Sequence, residues 1–148
     1  MRYTTEIEID LPRARVIELF DDQENMFKWQ PELVSFEHQS GEPGQVGATS
    51  RLVYKMGKRD CEMIETITRR ELPDQFDGTY QADGMFNSIE NRFEELGADR
   101  TRWVCVSEFV GQKFAMKAML LLMPGAFKKE TMKFLQRFKA FAEGEGKS

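Results

Sequence analysis

The chain has 148 residues, 41% hydrophobic and 31% charged, with a formal net charge of −4. That is enough chain for one domain with its own core, and its interspersed charges lack the basic stripe of a nucleic-acid binder. Its longest apolar stretch, Phe114–Met123, covers about ten residues and is broken by Lys117, where a membrane span needs about 20.

The opening residues alternate. Thr5, Ile7 and Ile9 share one side of a strand and Glu6 and Glu8 the other. Met1–Glu6 lead straight into this pattern and read without a secretory leader, which predicts a cytoplasmic protein. Leu11-Pro12 starts a helix with Val16, Ile17, Leu19 and Phe20 as its apolar stripe. Asp21-Asp22 breaks it, and a second short helix runs through Met26, Phe27 and Trp29 to Pro31.

The period then returns to two. Strands are predicted over Leu33–Gln39, Val46–Met56, Asp60–Arg69, Gln75–Gln81, Met85–Leu96 and Thr101–Phe109. Turn residues separate them: Gly41-Glu42-Pro43-Gly44, Gly57-Lys58, Leu72-Pro73-Asp74, Asp83-Gly84 and Gly97-Ala98-Asp99. After Gly111 the period becomes helical. Phe114, Ala118, Leu121 and Leu122 share one face of the first half of a long helix, although the stretch also suits a lid or a membrane contact. Met123-Pro124-Gly125 kinks or breaks it. Phe127, Thr131, Phe134, Leu135, Phe138 and Phe141 continue it opposite a lysine-rich side. The domain spans 1–143, and 144–148 form a flexible tail.

This order predicts an α+β fold, an antiparallel sheet with one helix laid across it. It resembles the START-like superfamily, also called polyketide cyclase/dehydrase-like or SRPBCC, with the helix-grip fold. The resemblance rests on Ile7-Glu8-Ile9 before Leu11-Pro12, Trp29, Gly44–Thr49, Glu62–Ile67, Leu72-Pro73, Arg92–Glu95, Thr101-Arg102-Trp103 and Phe138-Lys139. It implies a curved sheet of about seven strands, two short helices after the first strand, and a long C-terminal helix across the concave face. It also implies a hydrophobic cavity there, with binding pockets generally about 300–1,000 Å³.

The residues can be set against that expectation. Leu52, Tyr54, Met56, Met63, Ile67, Phe76, Tyr80, Met85, Ile89, Phe93, Trp103 and Phe109 are predicted to face inward. Met123, Phe127, Thr131, Phe134, Leu135 and Phe138 answer from the helix. Ser50, Glu65, Asn87 and Asn91 share the inward strand faces and could orient a ligand's carbonyl or hydroxyl, or simply pair with each other. Trp29 either caps the mouth or plugs the core.

The favoured expectation is binding of a hydrophobic small molecule (lipid, sterol-like or polyketide-like) without catalysis. A cyclase or dehydratase is the alternative, with Glu65 as general base and Tyr54 or Tyr80 as oxyanion donor. A protein-interaction module is a third, and a homodimer is compatible with any of them. No metal-ligand spacing or cofactor fingerprint occurs, so neither a metal nor a cofactor is expected. His38, the one histidine, lies on a strand. Cys61 and Cys105 read as reduced thiols.

Overall fold

The computed structural model describes residues 1–146. Its elements are β1 (Arg2–Ile9), α1 (Arg13–Asp21), a 3-10 turn at Gln23–Asn25, α2 (Met26–Trp29), β2 (Leu33–Ser40), β3 (Thr49–Met56), β4 (Arg59–Glu71), β5 (Gln75–Ala82), β6 (Met85–Gly97), β7 (Arg100–Gly111), α3 (Phe114–Leu122) and α4 (Pro124–Gly146). One antiparallel sheet holds all seven strands in the order β1-β7-β6-β5-β4-β3-β2. Register shifts at Ile67/Arg69, Leu33/Ser35, His38/Ser40 and Glu95/Gly97 mark bulges, which bend strands. The result is the helix-grip α+β architecture.

The strand faces follow the alternation. On β1, Thr5 and Ile9 are buried and their neighbours exposed. α1 buries Val16 and Leu19, and Arg70 on β4 forks onto Asp21 at its end with bonds of 2.8 and 2.7 Å. α4 lies against β1, α1 and α2, and α1 lies against β6 and β7, whereas β3, β4 and β5 have no comparable helix contact.

Some boundaries differ from the sequence reading. β3 begins at Thr49 and leaves Val46 exposed, because the backbone at Gly47 has φ +90° and turns the chain before pairing starts. The break expected at Met123-Pro124-Gly125 is present and separates α3 from α4. α4 then continues through Gly146, so 144–146 are helical where a tail was expected; 147–148 lie outside the described residues.

Candidate functional site

One end of the concave face is solid. Ile9, Trp103, Leu135 and Phe138 have 0% exposure. Phe20 meets Phe93, Trp103 and Phe138 edge-on at ring separations of 5.0, 5.6 and 5.8 Å. Trp29 sits edge-on to Phe134 at 4.5 Å and to Phe138 at 5.1 Å. Edge-to-face clusters of this kind add to the burial of the rings themselves.

The other end is less completely sealed. Register places Ser50, Glu65, Tyr80, Asn87 and Phe109 in one row across β3 to β7. A parallel row carries Leu52, Met63, Ala82 and Met85, and a third carries Ile67, Gly78, Ile89, Ser107 and Tyr3. Met63, Glu65, Tyr80, Ala82, Met85, Asn87 and Ile89 all remain half-buried. Inward residues of a filled core would be sealed, as Trp103 and Phe138 are. α4 reaches this end through Phe127 and Thr131. The Tyr3 hydroxyl lies 2.6 Å from Thr131 Oγ1 and donates to the Phe127 carbonyl at 3.1 Å, and Phe127 packs on Phe109 at 5.0 Å.

The polar groups here have distinct partners. Tyr80 Oη donates to Glu65 Oε2 at 2.9 Å. Tyr54 Oη donates to Gln30 Oε1 at 2.6 Å, and Trp103 Nε1 donates to Asn91 Oδ1 at 2.9 Å. Asn87 Oδ1 is buried and has no hydrogen-bond partner among the described residues. Desolvation pushes the Glu65 carboxyl up, opposed by the bond from Tyr80. Desolvation likewise raises the Tyr80 hydroxyl well above the usual tyrosine range, helped by the neighbouring Glu65 and Tyr54. Tyr54 is raised for the same first reason, and the buried Cys105 thiol is pushed up to about 11.

The sign of the Glu65 shift makes a prediction. A raised folded pKa means that the folded chain holds this proton more tightly than the unfolded chain. The associated stability is fully present below the ordinary glutamate value of about 4.3 and is lost as pH rises through the raised folded value. Glu65→Gln should remove that loss. The melting temperature of the variant relative to the parent should therefore grow with pH above about 4.3, and a constant difference would contradict it.

The structure places the residues expected to contact a ligand in different surroundings. Trp29, Trp103, Leu135 and Phe138 belong to the solid end, where Phe20, Phe93, Phe134 and Phe141 close on them. Leu52 has no exposed surface, and Ser50 and Ile67 have almost none. Asn91 is buried and committed to Trp103. Met56 and Met123 are exposed rather than inward, since both lie at turns beyond the covered face. Met63, Glu65, Tyr80, Asn87, Ile89, Phe127 and Thr131 are half-buried at the less sealed end. Phe76 and Phe134 are half-buried beside the aromatic cluster, and Tyr54 beside Gln30. Tyr3 and Ala82 were missing from the sequence reading; Tyr3 shares the parity of Thr5 and was findable. Gln30, in a turn, carried no such signal.

His38 is exposed on β2. Among the described residues no three His, Cys, Asp or Glu side chains converge to hold a metal ion.

Residues 1–143 match the family described as polyketide cyclase / dehydrase and lipid transport. The chain belongs to this family. Solved structures similar to this polyketide cyclase/dehydrase family chain show the same fold. The Zhui aromatase/cyclase from Streptomyces sp. R1128 has a TM-score of 0.80 at 16% identity, covering 97% of this chain and 93% of that one. TTHA0849 from Thermus thermophilus has 0.79 at 17%, covering 98% and 99%. Norcoclaurine synthase from Thalictrum flavum, in complex with dopamine and hydroxybenzaldehyde, has 0.72 at 10%, covering 95% and 85%. No curated protein sequence matches the chain.

Proposed function

We propose that this chain binds a small, largely apolar molecule carrying a hydrogen-bonding group, held between β3–β6 and α4, without catalysing a reaction on it. The observation that carries this reading is the contrast within one concave face: a sealed aromatic end and a half-buried end lined by Met63, Met85, Ile89 and Phe127. Apolar walls with a few convergent polar groups are the usual make-up of a ligand pocket. Glu65, Tyr80 and Asn87 supply the polar side. A ligand hydroxyl or amine would satisfy Asn87 Oδ1, which the protein leaves unpaired. The solved relatives described as an aromatase/cyclase and as a synthase bound to dopamine and hydroxybenzaldehyde favour an aromatic occupant. The free Cys61 and Cys105 suit a reducing, cytoplasmic setting.

Native mass spectrometry of protein purified from its own cells should show an adduct that denaturation releases. Only unliganded mass, together with no uptake from a panel of aromatic and lipid compounds, would overturn the reading.

A second reading, a cyclase or dehydratase, is favoured by one observation: the desolvated Glu65 bonded to Tyr80. A carboxylate with a raised pKa is better matched to proton abstraction near neutral pH. Polyketide-type substrates should then turn over, and Glu65→Gln combined with Tyr80→Phe should slow them. Unchanged turnover in that double variant would remove this reading.

A further inference from the structure

The segment joining β7 to α4 carries a surface that the recess does not use. α3 reads Phe-Ala-Met-Lys-Ala-Met-Leu-Leu-Leu, apolar nearly all round. Its grip on the sheet is made largely by backbone: a Cβ at Gly111 would stand 2.7 Å from the Lys117 nitrogen. Met116, Ala118 and Leu120 are half-buried. Phe114 is 86% exposed, Leu121 81% and Leu122 78%, with Met119 and Met123 exposed beside them.

Cations border this apolar tip. Lys117 lies three residues from Phe114 and four from Leu121, so all three share a helix face. The chain turns at Met123-Pro124, and the start of α4 presents Lys128, Lys129 and Lys133, all exposed. Lys113 is paired with Asp83, whereas the other four lysines have no carboxylate partner among the described residues. Between 113 and 133 there are five lysines and one carboxylate, Glu130, in a chain whose net charge is −4.

We propose that α3 and the first turns of α4 dock the protein on an anionic phospholipid bilayer. Phe114, Leu121 and Leu122 enter the boundary between headgroups and acyl chains, as interfacial helices do. Lys117, Lys128 and Lys129 meet the lipid phosphates, each long stem reaching past the apolar side chains. Charge decides between occupants. A second copy docked symmetrically would set this unpaired lysine rim against itself, whereas an anionic surface complements it. No helix among the described residues is long and apolar enough to cross a membrane, so the contact is peripheral. Docking does not depend on what fills the recess, although Phe127 and Phe109 place the recess next to the docked tip.

Co-sedimentation of the full chain with vesicles tests this. Equimolar phosphatidylcholine and phosphatidylglycerol vesicles should carry the protein down, and phosphatidylcholine alone should carry far less. Binding should fall in high salt. Leu121→Ser with Leu122→Ser should weaken it by at least about tenfold. Lys117→Gln, Lys128→Gln and Lys129→Gln together should weaken it on the order of a hundredfold. Both sets change exposed side chains and should leave Tm within a few degrees of the parent's. Absence of binding to the anionic vesicles, or binding untouched by both variants, would overturn docking. A dimer in sedimentation equilibrium that the leucine variants dissolve would assign the tip to a second copy instead.

Discussion

Phe138→Ala should lower the free energy of unfolding by about 3–5 kcal/mol, the usual cost of emptying a buried aromatic site. At roughly 2–4 °C per kcal/mol for a domain near this size, the melting temperature should drop by about 10 °C. Phe138 has no exposed surface and touches the rings of Phe20, Trp29, Trp103 and Phe141, which come from α1, α2, β7 and α4 itself. Those rings are held by different elements and cannot close together over a missing neighbour. Met63→Ala gives the contrast. Met63 is half-buried and faces the open end, so the same truncation there removes fewer contacts and leaves no new sealed void. Its cost should fall clearly below that of Phe138→Ala in the same denaturant series. Equal losses would mean that both ends are packed alike.

Asn87→Leu should make the protein more stable by about 1–3 kcal/mol while weakening its hold on a ligand. A buried acceptor without a donor carries roughly that desolvation penalty, and Asn87 Oδ1 is such an acceptor. Leucine has nearly the same shape and no polar atoms. A polar group that costs stability in the empty protein is expected where a ligand completes it. Opposite movements of melting temperature and ligand affinity are the signature. A destabilised variant would show that Asn87 is already satisfied in the empty protein.

Much of this fold was legible because β faces alternate. Glu65 with Met63 and Ile67, and Asn87 with Ile89 and Phe93, share a face simply because they are two residues apart. The bulge on β4 falls after Ile67, so it leaves that face in step. Which inward residues are fully sealed was not legible. Trp103 and Asn87 carry the same inward parity, yet Trp103 is sealed by rings distant in sequence while Asn87 is not. That difference comes from where α1, α2 and α4 lie over the sheet, a tertiary property that no local period contains. α3 was ambiguous for a related reason. Helical spacing puts Phe114, Leu121 and Leu122 on one face without showing what that face meets, and all three are exposed. The partner of Tyr54 was hidden too, since Gln30 sits in a turn.

The central claim is that the sheet between β3 and β6 is left unfilled at one end. Apolar hollows take up xenon, which makes a crystal of the purified protein pressurised with xenon the most direct measurement. Electron density for xenon in contact with Met63, Met85 and Ile89, and none among Trp29, Trp103 and Phe138, is the predicted result. Side chains meeting across both ends, with no gas or ligand density between them, would contradict it.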